Sequence, residues 1–404
     1  MSNSENVDHK KLGPALDLFT FSDLVGSGLP LFTPKGTIIR DLLDGFVWGL
    51  RKEKGYARVD IPHLAKKELY EMSGHWDKFE DELFHITTRE GHEFALKPMN
   101  CPHHFMIYKT QTRSYRDLPI RFAELGTCYR YERSGTLHGM LRVRCFTQDD
   151  AHIFVRPDQI ADEYDRLLDL ADYLLTVFGY EYHLALATRP EKALGDPAVY
   201  DAATETLRGV LDRRGVGYEV DEGGGAFYGP KIDVNVVDAI GREWQGGTFQ
   251  LDFEMPERFG LVYIGSDNTP HKAVVIHRTL LGSMERFVGG LIEHYGGAFP
   301  TWMSPEQVRV LPVGEQWHES ASALAADLKA AGIRASVEGR ETLGYRIREA
   351  ESLKIPYMGV VGEREAADGT VAVRRRGAGK KQEVMGREQF IAAVVEQVET
   401  KALG

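Results

Sequence analysis

Hydrophobic side chains recur at helical spacing in two long segments of the chain. In residues 34–54 they fall three or four positions apart, at Ile39, Leu42, Leu43, Phe46, Val47 and Leu50. Residues 157–178 repeat this pattern, and Gly179 follows them. Such a stripe is typical of an amphipathic helix with one buried face, and glycine commonly follows a last helical residue. We therefore predict two long helices, at 34–54 and at 157–178.

Shorter alternating segments, separated by glycines, lie around the second helix and predict a mainly antiparallel sheet. Residues 296–307, GGAFPTWMSPEQ, have the composition of a linker. Beyond them, strand-like and helix-like segments alternate at 308–313, 320–332, 333–339, 344–354 and 356–362. This order predicts parallel strands. The predicted fold is an α+β domain over residues 1–300, with a mainly antiparallel sheet flanked by helices, and a small α/β domain over 301–404.

Composition narrows the class of protein. The 404 residues are 43% hydrophobic and 27% charged, as in ordinary globular proteins. The polar N-terminus, MSNSENVDHKK, lacks the apolar centre of a secretory signal, and no run of about 18 apolar residues predicts a membrane span. The three cysteines, Cys101, Cys128 and Cys145, do not form a disulfide framework. We expect a cytoplasmic protein without a membrane partner.

The charge distribution has one local exception. A net charge of −11 argues against a protein that coats nucleic acid nonspecifically. Residues 374–381, RRRGAGKK, nevertheless concentrate five positive charges. A solvated turn explains this run unless other features indicate a nucleic-acid partner.

The clearest candidate chemistry lies in residues 124–155. Alternate residues of a strand share a face, which here would carry Arg142, Arg144, Phe146, Gln148, Asp150 and His152. Cys128, Arg130 and Glu132 align similarly in the preceding segment. A solvent-facing strand could look like this, but paired arginines beside a phenylalanine suit phosphate oxygens and a stacked base better. We predict a nucleotide-binding sheet.

Two later segments add polar groups to the same picture. Thr248, Gln250 and Asp252 share one face of a predicted strand within 242–255. Residues 274–294 predict a strand that ends near His277 and turns into a helix, with Arg286 on that helix or at its start. A helix start gathers hydrogen-bond donors for an anion.

These motifs, in their order and spacing, resemble the class II aminoacyl-tRNA synthetases, and most closely the threonyl-tRNA synthetase family. The resemblance covers nearly the whole chain and is carried by KPMNCP (97–102), SYRDLP (114–119), SGTLHGMLRVR (134–144), FTQDDAHIF (146–154), FYGPKID (227–233) and HRTLLGSMERF (277–287). The helix ending at Pro62 resembles the dimer-forming motif 1 of the family. The 124–155 hairpin resembles motif 2, and residues 280–287 resemble motif 3.

The resemblance implies a zinc site made by Cys101, His152 and His277. Three protein ligands with an open fourth position are typical of a functional zinc ion. Taken alone, Cys101 would more simply be a buried structural thiol. His103 and His104 are not expected to be ligands, and His103 stands where the family often has glycine.

The resemblance also implies activation of threonine by ATP and its transfer to tRNA(Thr), with Mg²⁺ accompanying the ATP. The implied catalytic residues are Arg130, Arg286 and His75. A surface histidine in a turn beside Trp76 is the plainer interpretation of His75. The implied ATP-binding residues are Arg130, Glu132, Arg142, Phe146, Lys231, Gln245, Ser283 and Arg286. The implied threonine-binding residues are Cys101, Arg130, Gln148, Asp150, Tyr228 and Gln250.

The implied partners follow from the same family. Arg348, Lys354, Glu365 and Arg374 match positions that face the tRNA anticodon, whereas Glu341 stands where an asparagine is common. A homodimer through motif 1 is expected. Because the resemblance begins directly at the catalytic domain, we expect no editing in cis, serine mischarging, and room for a separate editing protein.

Two other classes of function compete with this one. A non-catalytic relative would usually have lost arginines of motif 2 or 3, yet Arg130, Arg142 and Arg286 are all present. A zinc hydrolase is disfavoured because no H-E-x-x-H motif occurs. Seryl and prolyl synthetases share the implied fold, but the cysteine and two histidines favour threonine.

Overall fold

The computed structural model of the chain describes residues 7–78, 80–237 and 241–403. Residues 1–6, which open the polar N-terminal stretch, lie outside the described residues. The chain forms two compact units. The central unit comprises Phe21–Pro30 and Asp44–Gly290, and the flanking unit comprises the described parts of Met1–Thr20, Leu31–Leu43 and Leu291–Gly404. The predicted domain boundary at residue 300 stays a prediction.

Both long predicted helices are present. The helices of the described residues are α1 (His9–Ala15), α2 (Pro34–Glu53), α3 (Lys67–Ser73), α4 (His75–Lys78), α5 (Cys101–Tyr108), α6 (Ile160–Phe178), α7 (Pro197–Arg214), α8 (Glu254–Phe259), α9 (Met284–His294), α10 (His318–Ala330), α11 (Leu343–Ser352), α12 (Glu363–Asp368) and α13 (Arg387–Glu399). Gly179 follows α6 in the left-handed conformation, with φ of 68°, which glycine adopts without steric cost. The helix expected to end at Pro62 is α2, which already ends at Glu53.

The strands of the described residues follow one another along the chain from Phe19 to Gly386. They are β1 (Phe19–Thr20), β2 (Leu31–Phe32), β3 (Ala57–Arg58), β4 (Leu64–Lys66), β5 (His85–Thr87), β6 (Glu93–Leu96), β7 (Ile120–Tyr129), β8 (Cys145–Val155), β9 (Glu181–Ala187), β10 (Tyr218–Asp221), β11 (Lys231–Val237), β12 (Glu243–Asp252), β13 (Val262–Ile264), β14 (Pro270–Lys272), β15 (Val274–Ser283), β16 (Val308–Pro312), β17 (Ala335–Val337), β18 (Tyr357–Val361), β19 (Thr370–Arg375) and β20 (Glu383–Gly386).

The central unit is built on an eight-stranded sheet in the order β10-β9-β11-β12-β15-β8-β7-β3. Only the two edge pairs, β10 with β9 and β3 with β7, are parallel. The predicted motif 2 hairpin is the antiparallel pair of β7 and β8, in register from Ile120 opposite Phe154 to Tyr129 opposite Cys145. The mainly antiparallel α+β fold is therefore confirmed.

Alternation along β12 separates a packed face from a polar one. Phe249 and Leu251 are fully buried, and the hydroxyl of Tyr164 on α6 donates to the Phe249 carbonyl oxygen at 3.3 Å. Each such apolar side chain contributes roughly 1.5–3 kcal/mol on burial. Thr248 and Gln250 point to the opposite face and remain partly exposed. The helix-covered face thus supports the sheet, and the other face is left for chemistry.

The flanking unit contains a five-stranded sheet in the order β17-β16-β18-β19-β20. The three strands predicted from the alternation, β16, β17 and β18, pair in parallel. The last two strands pair antiparallel and were not predicted. Helices α10 and α13 bury Leu324, Leu328 and Phe390 in the same core as Val308 and Val310 of β16.

The segment 296–307 is irregular, as a linker would be, but it is not solvated. Trp302, Met303 and Gln307 are buried. An Nη2–H of Arg334 donates to the Trp302 carbonyl oxygen at 2.7 Å, and Gln307 accepts from the Arg334 backbone N–H at 2.8 Å. The segment is therefore irregular but packed, and its role as a linker stays a prediction. Among the described residues, no helix combines the length and apolar character that crossing a membrane requires.

Candidate functional site

Three potential metal ligands converge in the centre of the sheet. His152 on β8 and His277 on β15 are cross-strand partners, and Cys101 is the first residue of α5. A ligand atom from each lies within 4.8 Å of the others, and all three residues are buried. His277 lies in the middle of β15, which continues to Ser283. The expected strand end near His277 was therefore wrong.

Hydrogen bonds to the far side of each imidazole determine which nitrogen faces the cluster. Nε2 of His277 lies 2.8 Å from Oδ2 of Asp252, so it donates and leaves Nδ1 open. Nδ1 of His152 lies 2.7 Å from Nδ1 of His104, whose Nε2 lies 3.2 Å from Oε1 of Glu124. Since the carboxylate can only accept, His104 donates to it and accepts from His152. The lone pair of His152 is then on Nε2, the nitrogen away from His104.

The protonation of the cluster suits a divalent cation. Burial, together with His104 and His277, lowers the pKa of His152 well below its ordinary value. Burial, with Asp150 and Asp252 nearby, raises the pKa of the Cys101 thiol well above its ordinary value. A neutral imidazole is the form that binds a metal, and a cation stabilises the thiolate that burial alone disfavours. Nitrogen and sulfur donors in a set of three fit Zn²⁺ with one open position.

A cavity of about 260 Å³ opens on the same polar face of the sheet. Its lining includes seven of the eight residues expected to bind ATP, namely Arg130, Glu132, Arg142, Phe146, Gln245, Ser283 and Arg286. Gln148 and Gln250, expected to bind threonine, also line it. So do Thr248, which was predicted on the same strand face as Gln250, and Thr279, which the sequence did not single out. Lys231 is not part of the lining, and its ammonium instead pairs with Asp233 two residues along its own strand.

Positive charge dominates this cavity. The Arg130 guanidinium lies 5.2 Å from the centroid of the Phe146 ring. Arg142 donates through Nε to the Glu132 carboxylate at 3.0 Å. Arg286 donates through Nε to the backbone oxygen of Leu141 at 3.0 Å, and burial with Arg142 and Arg130 nearby lowers its pKa. The lining contains three guanidinium groups but one carboxylate, that of Glu132, so an anionic ligand would relieve the mutual repulsion of the arginines.

Gln250 links the cavity to the metal-type cluster. It lines the cavity and is the cross-strand partner of His277. The Tyr228 hydroxyl donates to its side-chain oxygen, and the Tyr228 ring centroid lies 5.2 Å from that of His277. Asp150 is held by Nδ2 of Asn100 at 3.0 Å, and burial raises the pKa of its carboxyl. The two sites are therefore neighbours on one sheet face.

His75 is buried at 1% exposure, so the surface interpretation was wrong. It begins α4, and its Nδ1 lies 2.7 Å from the Ser73 hydroxyl. Its ring meets Phe227 edge-on at 5.8 Å, and Phe227 in turn contacts Tyr228. Aromatic contacts thus connect His75 with the cluster side of the sheet.

Strict alternation failed at two places on the polar face. Strand β8 begins only at Cys145, and Arg144, in the preceding loop, donates to backbone oxygens of Glu132 and Ser27 rather than lining the cavity. Strict alternation from Thr248 and Gln250 would put Gln245 on the opposite face of β12, yet it lines the cavity. The reason is that the pairing of β11 and β12 shifts register between Asp233 and Asn235. A bulge adds one residue and reverses the alternation.

Asp149 is a buried charged residue that was not among the candidate residues predicted from the sequence. It is 0% exposed and forms ion pairs with Arg51 and with Arg278, which are also buried. A carboxylate on the apolar face of a strand requires such partners. That misplaced charge is the signal that could have identified it.

The four residues expected at the anticodon lie in the flanking unit. Arg348 on α11 is exposed, and Lys354 follows this helix with a φ of 59°. The Glu365 carboxylate accepts from the Gly362 backbone N–H at 3.0 Å, and Arg374 lies 3.5 Å from Glu351. Within the described residues, no hydrogen bond or ion pair joins any two of the four.

The basic run at 374–381 is only partly available to a ligand. Arg376 donates to the backbone oxygens of Lys354 and Phe299, each at 2.7 Å, and burial lowers its pKa. Arg374 donates to the backbone oxygen of Gly379 at 3.2 Å. These two arginines therefore help to fold the segment in which they lie.

Comparison with known families accounts for both parts of the chain. Residues 83–295 match the family model of the tRNA synthetase class II core domain (G, H, P, S and T), and residues 307–397 match that of an anticodon binding domain. Threonine–tRNA ligase of Thermotoga maritima is 47% identical over 404 residues, which are all of this chain and 63% of that protein. The enzyme of Desulforamulus reducens is 48% identical over 380 residues, covering 94% of this chain and 60% of its own length. The chain thus spans about 63% of the length of the first of these relatives.

Solved structures agree with these matches. The RNA binding domain of threonyl-tRNA synthetase from Cryptosporidium parvum Iowa II is similar at a TM-score of 0.93 and 37% identity, covering 98% of this chain and 99% of that one. The structure of ThrRS-1 from Aeropyrum pernix, described as a threonyl-tRNA synthetase, is similar at a TM-score of 0.86 and 30% identity, covering 98% of this chain and 96% of that one. At 16% identity, a prolyl-tRNA synthetase from Cryptosporidium parvum shares the fold alone, with a TM-score of 0.74 over 99% of this chain and 79% of that one.

Proposed function

Because the chain belongs to the threonyl-tRNA synthetase family of class II aminoacyl-tRNA synthetases, we propose that it activates L-threonine with ATP and transfers the threonyl group to tRNA(Thr). One observation carries this proposal. The metal-type cluster of Cys101, His152 and His277 adjoins a cavity lined by three arginines. The first could select an amino acid, and the second could hold a nucleotide.

In the activation step the threonine carboxylate attacks the α-phosphorus of ATP, a new C–O–P linkage forms, and pyrophosphate leaves. A carboxylate is already a nucleophile, so the protein needs no general base. Its task is to align the reactants and stabilise negative charge. Arg130 is proposed at the α-phosphate and Arg142 at the outer phosphates, where Mg²⁺ would accompany the nucleotide.

The remaining cavity residues would hold the adenosine. Phe146 and Arg286 are proposed to sandwich the adenine ring, and Glu132 to accept from its amino group. Gln245 and Ser283 line the same cavity. Lys231 is also proposed to bind ATP, but its ammonium would first have to break its ion pair with Asp233.

Cys101, His152 and His277 would hold zinc. Bound there, zinc would supply a Lewis acid for the amino group and β-hydroxyl of threonine. Gln148, Asp150, Tyr228 and Gln250 are proposed to orient the substrate around this point. The hydrogen bonds of Asp150 to Asn100 and of Tyr228 to Gln250 support that role, since they fix the side chains before a ligand binds.

In the transfer step a terminal ribose hydroxyl of the tRNA attacks the threonyl carbonyl carbon, AMP leaves, and the hydroxyl proton needs an acceptor. We propose His75 as part of that proton relay. Its burial and its bond to the Ser73 hydroxyl give the imidazole a fixed orientation. An acceptor of this kind must be within hydrogen-bond reach of its proton.

The proposed partners belong to the same function. Arg348, Lys354, Glu365 and Arg374 are proposed to face the anticodon. Homodimerisation through the α2 segment, a cytoplasmic location and a separate protein that clears seryl-tRNA complete the proposal. A purely regulatory binding protein is the competing function, and the retention of Arg130, Arg142 and Arg286 in one cavity favours catalysis over it.

The test is amino-acid-dependent ATP–pyrophosphate exchange with threonine, serine, valine and proline, alongside metal analysis of the purified protein. The expected result is exchange that is fastest with threonine and about one zinc ion per chain. Exchange with proline alone, or full threonine activity in metal-free protein, would contradict the proposal. ATP binding without exchange would favour the regulatory alternative.

A further inference from the structure

The ladder between β8 and β15 is interrupted at the wall of the cavity. Thr279 pairs with Asp150 and Ser283 with Gln148, so four steps along β15 correspond to two along β8. Gly282, inside this bulge, has a φ of +70°, and a Cβ there would lie 3.0 Å from the Gly246 backbone oxygen. The bulge residues Thr279, Gly282 and Ser283 line the cavity. This part of the cavity lining is therefore formed by residues of β15 that do not pair regularly with β8.

Two buried carboxylates accept hydrogen bonds from backbone around the bulge. Oδ2 of Asp149 accepts from the backbone N–H groups of Leu280 and Leu281, at 3.1 and 2.9 Å. Oε2 of Glu285 accepts from the backbone N–H of Thr147 at 2.8 Å. Asp149 on β8 therefore binds the backbone of β15, and Glu285 at the start of α9 binds the backbone of β8. Because an unpaired buried N–H is costly, these side chains stabilise the bulged form.

Asp149 is itself fixed by charge. Nη1 of Arg278 lies 3.2 Å from its Oδ1, and Arg51 contacts the same oxygen. All three side chains are at most 1% exposed. The Asp149 carboxylate is therefore held in one orientation and cannot turn towards solvent.

We propose that Asp149 and Glu285 are positioning residues for the nucleotide, holding the bulge so that Ser283 and Arg286 face the cavity. This inference rests on the proposed ATP-dependent function. Glu285 immediately precedes Arg286, and Ser283 accepts from the Arg286 backbone N–H at 3.1 Å. A tie at Glu285 thus fixes the first turn of α9, from which the Arg286 side chain reaches the cavity.

A positioning role differs measurably from a merely structural one. Of the residues proposed on the threonine side, Cys101, His152 and His277 lie outside the bulge, and Gln148 and Asp150, which lie opposite its ends, are also held by the unbroken ladder between β7 and β8. Loss of the Glu285 tie should therefore raise the KM for ATP and leave the KM for threonine unchanged. General destabilisation would instead affect both substrates.

The experiment compares Glu285→Ala and Glu285→Gln with the same two substitutions at Glu163. Glu163 is a matched control, because it is also buried and holds Arg121 through Nε at 2.8 Å on a helix that does not line the cavity. Losing a charge-assisted hydrogen bond should raise the KM for ATP about 10- to 100-fold in Glu285→Ala. The amide of Glu285→Gln can still accept one hydrogen bond, so its increase should be smaller. The KM for threonine and the zinc content should stay within about twofold of wild type in both.

Hydrogen exchange measured by mass spectrometry gives a second readout. Peptides covering 279–286 and 145–149 should exchange faster in Glu285→Ala than in the Glu163 variants. A KM for ATP within twofold of the Glu163 controls, or equal increases for ATP and threonine, overturns the inference. Asp149→Asn is a weaker test, because Arg51 and Arg278 would be left with a neutral partner and the variant could fail to fold.

The two proposals can fail separately. Absence of exchange in wild-type protein with every amino acid contradicts the proposed function alone. The inference is then judged by calorimetric titration with Mg-ATP, where Glu285→Ala must weaken binding by the same factor. Wild-type protein that binds no Mg-ATP contradicts both.

Discussion

His152 and His277 lie directly opposite each other on adjacent antiparallel strands, with ring centroids 4.7 Å apart and ring planes at 83°. Two of the three metal-type ligands are thus placed by the backbone ladder itself. Only Cys101 comes from another element, the start of α5. A site preformed in this way loses little conformational freedom on binding a cation, which favours a stable, stoichiometric metal.

Replacing Cys101 by alanine should remove the metal and threonine activation together. Two neutral imidazoles without the thiolate form a much weaker zinc site. We expect less than about one tenth of the wild-type zinc content and a loss of at least about 100-fold in threonine-dependent exchange. Metal analysis and exchange kinetics on the same preparation measure both. Cys145→Ala, which changes a cysteine outside the cluster, should leave both values near wild type, and an active Cys101→Ala protein would remove the basis for metal-based selection.

His104 and Glu124 should control zinc affinity without touching the metal. They hold Nδ1 of His152 through a chain of hydrogen bonds at 2.7 and 3.2 Å, which keeps Nε2 available. Loss of such outer contacts typically weakens metal binding 10- to 100-fold. Competition with a chromophoric chelator should show this for His104→Ala and Glu124→Gln.

The matched control for these variants is His103→Ala. His103 is a buried neighbour on α5, but its ring lies against Tyr70, at 6.5 Å between centroids. Zinc affinity should be unchanged in this variant. If all three variants lose zinc equally, the effect comes from packing of α5 rather than from the hydrogen-bonded chain.

The sequence predicted the polar sheet face because strand alternation is a local property. Phe146, Gln148 and Gln250 lie where a period of two puts them, on the cavity side. The same rule failed for Arg144 and Gln245, because strand ends and bulges are set by pairing between strands. The resemblance to a family supplied the distant pairing of Cys101 with two histidines, which spacing alone could not.

The hydrogen bonds that hold the candidate metal ligands could not be predicted from local sequence patterns. His104 on α5, Glu124 on β7 and His152 on β8 meet only when three elements pack. The antiparallel strands β19 and β20 were missed for a related reason. Strand β19 follows the short helix α12 and pairs antiparallel with β18, and β20 pairs antiparallel with β19. No local pattern marks such a change of direction at the edge of a parallel sheet.

Arg142→Ala should weaken ATP binding but hardly change stability. The side chain is 51% exposed, and its pair with Glu132 is of the solvent-exposed kind that contributes about 0–1 kcal/mol. A contact with the outer phosphates would be worth more, so we expect a rise of about tenfold or more in the KM for ATP. Thermal unfolding and exchange kinetics measure the two effects. Arg213 is 53% exposed and paired with Asp165, so Arg213→Ala is the control that should change neither the KM for ATP nor the stability. A large drop in stability for Arg142→Ala would show instead that the pair of Arg142 with Glu132 is structural.

Discrimination among amino acids should follow the hydroxyl rather than the shape. Valine fits the volume of threonine but cannot engage a metal through a hydroxyl, so its kcat/KM in exchange should be lower by about 10⁴-fold or more. Serine keeps the hydroxyl and lacks one methyl group, which is worth about 10- to 200-fold. Exchange assays over a range of amino-acid concentrations give the three values. A serine value below that of valine would be incompatible with selection through the hydroxyl.

Arg348→Ala should weaken tRNA binding without affecting activation. Its side chain is exposed on α11 of the flanking unit, whereas the cavity and the metal-type cluster belong to the central unit. Removing one phosphate or base contact typically costs about 1–3 kcal/mol for a base and less for a phosphate, so the KM for tRNA should rise about 5- to 100-fold. Threonine-dependent exchange, which needs no tRNA, should stay within twofold of wild type. Arg387→Ala is the control, because this arginine pairs with Asp327 at 2.6 Å on other elements of the same unit. Equal KM values for tRNA in the two variants would remove Arg348 from the proposed anticodon surface.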